Sequence, residues 1–446
     1  MAASNVTQSR WWAAAVTVLL LAFALIAWPT VVPSQVPGPL PDSRDYAFAA
    51  EGLLHGAYEV SWDGPSHVPR YSPGFSILLI PAVAVGGISG AVWVPFASAL
   101  LLGVLAAILA SRIGEPLAAP VAVAATLFTA ASILFSRIVM SDLPSACLVV
   151  LEMAMLAIAE PSTSFLAAGV IAGALVWIRP TNFVLLGAGL AACSARATWR
   201  RRALLYLVAA MPLVVGLALW QWSAYGSPLA TGYQAQGFGR DGSGGIGSLF
   251  SVTNLWKSPR WLVDMDAHPL HWQLPNIVLY PLALLGSDFF LSLPFVSAIG
   301  LFGLLRFRAV SGARGAVGRF GVTALLLTLA VHLPYWYQAE RFLMAPAAIA
   351  NVVAGVLLGD WIAQRKPGLH AARISRPRVS RLAFDAIGPP LVAIPVMLAA
   401  VGLIRVSTPQ GLLQGAVGVF VAARQQLGHV HRTLDYYALD EPTPGS

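Results

Sequence analysis

Apolar positions in this chain gather in long runs, as they do when lipid rather than water is the solvent. The first run, Trp11 to Val32, is too long for a signal-peptide core and lacks a small-residue cleavage site, so it reads as a retained first helix. Spans are expected at 11–33, 89–112, 117–137, 142–159, 164–178, 180–195, 203–224, 286–306, 319–337, 342–364 and 386–405. The short pair 164–178 and 180–195 is expected as a hairpin. The pattern predicts an all-α polytopic membrane protein of about 11 transmembrane helices. Residues 1–405 form the membrane module, and 406–446 form an outer tail without a folded domain.

Two polar intervals are long, 33–89 and 225–286. Within the first, Asp42 to His55 reads as a helix. Pro73 to Val85 is apolar but too short to cross, as interfacial segments are. The second holds a Gly/Ser-rich stretch, Gly237 to Ser248, then Trp256, Trp261 and Trp272 as anchors at the lipid–water boundary.

Composition agrees: 57% of the 446 residues are hydrophobic and 10% charged, against about 25% charged in soluble proteins. The net charge of +8 would suit a nucleic-acid binder, but its distribution says otherwise. With the N-terminus inside, 16 of the 27 Lys and Arg fall in inner loops, while 14 of the 19 acids face outward. That asymmetry is the positive-inside pattern. It excludes a nucleic-acid role and predicts a multi-pass protein of the plasma (inner) membrane, with a cytoplasmic N-terminus and its chemistry on the periplasmic, extracytoplasmic side.

The first outer loop carries the densest chemistry. It reads Pro41-Asp42-Ser43-Arg44-Asp45-Tyr46-Ala47, continues through Gly52-Leu53-Leu54-His55-Gly56, and ends in Pro69-Arg70-Tyr71-Ser72-Pro73-Gly74. A carboxylate can take a proton from an acceptor hydroxyl while an arginine neutralises a phosphate leaving group. Asp42 has two readings: a base, or a helix cap with Asp45 three residues on. Asp142 likewise reads as an N-cap before Pro144 or as a second acid beside the same cavity. Arg341, in Tyr335-Trp336-Tyr337-Gln338-Ala339-Glu340-Arg341-Phe342, suits an anion clamp or a surface pair with Glu340. Arg179 interrupts an apolar run and must face a cavity or a partner. Glu152, inside a span, calls for a hydrogen bond within the bundle. The pairs His268/His271 and His429/His431 supply only two ligands each, so no metal site is expected. Walker, dinucleotide-binding and serine-elbow motifs are absent from the sequence.

In their order these residues resemble the polytopic GT-C glycosyltransferases, which include protein O-mannosyltransferases and lipid A aminoarabinose transferases. Asp42, Tyr46, Ala50, Leu53, Leu54 and Gly56 follow that family's first outer loop, and Tyr71-Ser72-Pro73 stands at its Pro-rich aromatic stretch. Asp142 matches an acid at the outer start of a later helix. Arg179-Pro180-Thr181 matches an Arg-Pro-Thr-like step, and Arg341-Phe342-Leu343-Met344-Ala345-Pro346 a late Arg-aromatic-Pro segment. Ser43 replaces the second acid of the family's usual pair.

The resemblance implies a polyprenyl-phosphate sugar as donor, transfer with inversion on the outer side, and an acceptor hydroxyl on a glycan, lipid or protein. Asp42 would be the general base, with Asp45 and Asp142 as accompanying acids. Arg70 and Arg341, with Lys257 or Arg260 in reserve, would hold the phosphate. Tyr46, Tyr71, Arg179 and Tyr337 would line the cavity. A lipid monophosphate needs less charge neutralisation than a diphosphate, so no obligatory divalent metal is expected. The rival reading is a multi-pass transporter or lipid flippase.

Overall fold

The computed structural model describes residues 2–27, 41–60, 66–158, 162–235, 249–256, 275–285, 291–293, 296–335 and 340–364. The chain divides into two units, Met1–Gly359 and Asp360–Ser446. Residues 360–364 are the described part of the second. The span expected at 386–405 and the tail 406–446 lie outside the described residues.

The described residues are helical, without strands; isolated bridges join Val60 to His67 and Phe250 to Tyr335. In chain order the helices are α1 (Ala2–Ala27), α2 (Pro41–Leu54), α3 (Pro73–Gly86), α4 (Trp93–Ile113), α5 (Ala118–Leu127), α6 (Ala130–Phe135), α7 (Asp142–Ile158), α8 (Ser162–Ile178), α9 (Leu185–Cys193), α10 (Trp199–Tyr225), α11 (Gly232–Ala235), α12 (Asn276–Leu284), α13 (Val296–Phe307), α14 (Gly312–His332) and α15 (Met344–Gln364). Four helical stretches among the described residues are long and apolar enough to cross a membrane: Ile88–Ile113, Trp199–Tyr225, Gly312–His332 and Arg341–Gln364. The chain is an all-α membrane protein.

The two helices expected in the first long loop are present as α2 and α3, packed on one another. Three expected spans are corrected. Residues 117–137 are not one helix but α5 and α6, split at Phe128 and Thr129. The Thr129 hydroxyl accepts from the Ser132 amide at 3.1 Å and restarts the chain as an N-cap. Hydropathy is blind to such a break, because both halves are apolar. Residues 180–195 begin with a 3-10 turn, Pro180–Val184, because proline lacks the N–H that would continue α8. The helix expected at 286–306 starts at Val296 as α13, with residues 291–293 in a bend.

Small residues let the helices close up. Gly169 and Gly173 lie on the face of α8 that meets α10. A Cβ on Gly169 would stand 2.1 Å from the Tyr206 carbonyl, so only glycine admits this approach. Between α7, α9 and α10, Glu152 is fully buried and accepts a hydrogen bond from the Tyr206 hydroxyl at 2.8 Å, which is the internal partner its position called for. Cys147 and Cys193 are both free.

The two ends of the bundle differ in charge. At one end Arg196, Arg314 and Arg319 donate to the Ala157, Ile113 and Ser194 carbonyls. These carbonyls belong to the C-terminal ends of α7, α4 and α9, where cations complement the helix dipole. The other end holds the start of α7, the end of α8, the end of α14 and the start of α15. The candidate site is built there.

Candidate functional site

Residues distant in sequence meet at this end because helices that run in opposite directions present alternate termini. Asp142 opens α7 and Arg179 follows α8. His332 closes α14, and Arg341 leads into α15. Over them lies α2, which contributes Asp42, Asp45 and Tyr46. The segment 66–72 joins from the side, held by Gly74. A Cβ on Gly74 would stand 2.3 Å from the Trp177 carbonyl carbon, so α3 starts in direct backbone contact with the end of α8.

Three close acid–arginine pairs and one longer contact follow. Arg341 Nη2 donates to Asp42 Oδ2 at 3.1 Å across 299 residues of sequence. Its Nη1 lies 3.8 Å from Asp142 Oδ2. Arg179 Nη2 stands 2.9 Å from Asp142 Oδ1, and Arg70 Nε stands 2.7 Å from Asp45 Oδ2. The Asp45 and Asp142 side chains are wholly buried, whereas Asp42 keeps 21% exposure. In charge the six groups cancel.

The capping readings are corrected by this geometry. Asp42 lies inside the first turn of α2, and its carboxylate is held by Arg341 and by the Tyr71 hydroxyl. Asp142 is the first residue of α7, and its carboxylate is committed to arginines. Long-range ion pairs outcompete a local cap wherever burial removes water as the alternative partner. Burial by itself pushes the Asp42 carboxyl up. The Arg341 guanidinium, the Tyr71 hydroxyl and Arg70 outweigh it and hold the carboxyl below its ordinary value.

Aromatic rings frame the acid. Tyr46 stacks on Tyr71 with centroids 4.5 Å apart and meets Phe75 edge-on at 4.8 Å. The Tyr46 and Ser141 hydroxyls are 3.4 Å apart, which ties α2 to the start of α7. Burial raises the Tyr46 phenol above its ordinary value, keeping it neutral. Sequence reasoning missed Tyr233, whose ring meets Tyr71 edge-on at 5.5 Å and whose hydroxyl shares a hydrogen bond with it. The Tyr225 hydroxyl donates to the Pro69 carbonyl at 2.8 Å, and Gly232 packs on Arg70. The only signal for this contact was a glycine–tyrosine pair soon after a long span.

A Cβ at position 232 would lie 2.2 Å from the Arg70 Cα. Gly232→Ala is therefore expected to push the second loop off the Arg70–Tyr71 segment and to destabilise the protein by about 2 kcal/mol, as overpacking does. Thermal unfolding of the purified variant beside wild type in detergent checks it.

Arg341 also lines a cavity, with Asp142, Arg179, Asn182, Thr328 and His332 among others, and no α2 residue is in its wall. His332, read from sequence as a packed helix residue, is packed: its Nδ1 is 2.9 Å from the Thr328 carbonyl and its ring lies against Phe342. It also forms part of this wall. Lys257, Arg260 and Tyr337 lie outside the described residues. Among the described residues no group of three or more His, Cys, Asp or Glu side chains is disposed to hold a metal ion.

No protein-family profile and no curated protein matches the sequence. Solved structures do match the fold. ArnT from Cupriavidus metallidurans, bound to undecaprenyl phosphate, aligns with a TM-score of 0.53 at 14% identity, covering 93% of this chain and 73% of that one. The oligosaccharyltransferase from Archaeoglobus fulgidus, tethered to an acceptor peptide, aligns with a TM-score of 0.51 at 14% identity, covering 93% of this chain and 55% of that one. This chain therefore spans little more than half of the archaeal enzyme. Both are GT-C glycosyltransferases, and the chain has the GT-C fold expected from its motifs.

Proposed function

We propose that the chain is an inverting membrane glycosyltransferase that moves a sugar from a polyprenyl-phosphate donor to an acceptor hydroxyl. The observation that carries the reading is the Asp42–Arg341 pair, 3.1 Å apart and backed by Asp142. It sets a partly exposed carboxylate beside a guanidinium suited to a phosphate, at one end of a membrane bundle. The undecaprenyl phosphate in the similar ArnT structure supports a lipid-linked donor.

In this reading the acceptor hydroxyl approaches Asp42, which takes its proton. The freed oxygen attacks the anomeric carbon from the face opposite the phosphate. The new C–O bond forms as the bond to the phosphate oxygen breaks, and the electron pair leaves with the polyprenyl phosphate. Arg341 stabilises the charge that develops there; Arg70, held by Asp45, adds its field from the side, with Lys257 or Arg260 as further donors. They raise the rate to the extent that they bind the transition state better than the ground state. Tyr46 and Tyr71 supply flat walls suited to a sugar ring. The concentration of arginines at the opposite end of the bundle supports a cytoplasmic position for that end, and hence a site on the outer side of the plasma membrane.

The test is direct. Purified protein is given radiolabelled polyprenyl-phosphate sugars with membrane extract as the acceptor source. Wild type is expected to transfer label and Asp42→Asn is not. Transfer by the variant at the wild-type rate would remove Asp42 as the base. Movement of a solute or lipid across the bilayer, with no sugar transferred from any donor, would favour the transporter reading.

Tyr71 gives a pH signature. Its hydroxyl donates to the Asp42 carboxylate and helps hold that group below its ordinary value. A base depressed in this way is active above its folded pKa and is lost as pH falls through it. Tyr71→Phe removes a donor to the charged form, so the acidic limb of kcat/KM is expected to move to higher pH by up to about one unit. Superimposable pH profiles would exclude Tyr71 as a partner of the base.

A further inference from the structure

Arg341 sits between two places that want its charge. The first is the Asp42 carboxylate, at 3.1 Å. The second is the cavity that Arg179, Asn182, Thr328 and His332 line with it, to which Asp42 does not contribute. Within that cavity Arg179 and Asp142 neutralise one another at 2.9 Å, so the guanidinium of Arg341 is the charge that a monoanion entering there would meet.

We propose that Arg341 is handed over, from Asp42 to the phosphate of the donor lipid seated in this cavity, so that donor binding releases the base. The proposal rests on the glycosyl-transfer reading and adds to it the seat of the phosphate and an order of events, donor before acceptor.

Comparing the three ion pairs shows why this arginine moves. Asp45 and Asp142 are wholly buried, so drawing away Arg70 or Arg179 would take the nearest cation from a carboxylate that water cannot reach, at a cost of several kcal/mol. Asp42 is 21% exposed and also accepts from the Tyr71 hydroxyl, so it keeps a donor and some solvent when Arg341 leaves. Arg341 stays anchored meanwhile, with Asp142 at 3.8 Å and the Phe342 ring 5.7 Å from its guanidinium carbon. Arg341 is also the foremost cation holding the Asp42 carboxyl down. Its departure raises the proton affinity of Asp42 at the moment the donor is in place. Tyr71, held in turn by Tyr233, is the positioning residue that keeps the carboxylate aimed.

The signature is that removing the base tightens the donor's grip. In lipid nanodiscs, Asp42→Asn is expected to bind undecaprenyl phosphate about tenfold more tightly than wild type, because a neutral amide competes for the guanidinium far less than a carboxylate does. Asp42→Ala, which frees the same arginine, should show the same gain and covers the case in which the Asn variant folds poorly. Arg341→Gln is expected to weaken binding at least about tenfold. Glu51→Gln, on α2 but outside the acid–arginine cluster, is expected to stay within about twofold of wild type. Unchanged or weaker binding by both Asp42 variants would overturn the handover, and a gain confined to Asp45→Asn would move the phosphate to Arg70. Inorganic phosphate serves as the second probe. Undecaprenyl phosphate binding at least about a hundredfold more tightly supports a lipid donor, and equal affinities would overturn that assignment. A wild-type protein that binds neither probe and transfers no sugar fails the parent reading; one that transfers sugar without the Asp42 effect fails the handover alone.

Discussion

Asp42→Asn is expected to lower sugar transfer by about 10²- to 10⁴-fold, the range by which a positioned general base accelerates proton transfer. The replacement is nearly isosteric. Its amide oxygen can still accept from Arg341 Nη2 and from the Tyr71 hydroxyl, so α2 and its packing on α3 should persist. What is lost is the capacity to take a proton. The defect should therefore appear in kcat. Under the handover argued above, the donor KM should fall at the same time, a combination that marks loss of a ground-state competitor together with loss of chemistry. Steady-state kinetics at varied donor concentration separate the two, provided donor dissociation is fast relative to transfer. A variant that keeps kcat and merely raises KM would assign Asp42 to binding.

Arg179→Met carries the largest expected effect on stability. Asp142 is wholly buried and its near partner is Arg179, with Arg341 further off at 3.8 Å. Removing Arg179 leaves a buried carboxylate undercompensated, at a cost of about 3 kcal/mol. This is the low end of the range for broken buried pairs, since Arg179 is itself 19% exposed. Pairing it with Asp142→Leu should recover most of the loss, because two apolar groups in place of a buried ion pair are often close to neutral. Thermal inactivation half-lives in detergent, for wild type, both single variants and the double variant, complete the cycle. Equal half-lives for Arg179→Met and wild type would show that the pair contributes nothing. Activity is expected to stay low in the rescued double variant, as Asp142 also holds Arg341 near the cavity.

Much of this protein was legible in one dimension. Lipid imposes long apolar runs on any chain that crosses it, so the helical membrane class followed from hydropathy. α2 and α3 followed as well, from segments too short or too polar to cross. The ordered motifs around Asp42, Asp142, Arg179 and Arg341 pointed to the GT-C fold. Hydropathy was blind to the break between α5 and α6, because a cap made by one hydroxyl leaves no mark on an apolar profile.

The pairing of charges was the other matter decided by tertiary structure. In sequence Asp42 and Asp45 look like cap partners on one turn, and Arg70 and Arg341 look like equivalent cations. In the folded chain Asp45 takes Arg70, Asp42 takes Arg341, and Asp142 takes Arg179 with Arg341 further off. Burial makes the choice, since a carboxylate without water must take the nearest guanidinium that packing supplies. That depends on which helix termini share one end of the bundle and on how closely Gly74 and Gly232 let the loops approach, and neither is a property of any local stretch of sequence. The distinction between a locked pair and a releasable one, on which the handover from Asp42 rests, exists only at that level.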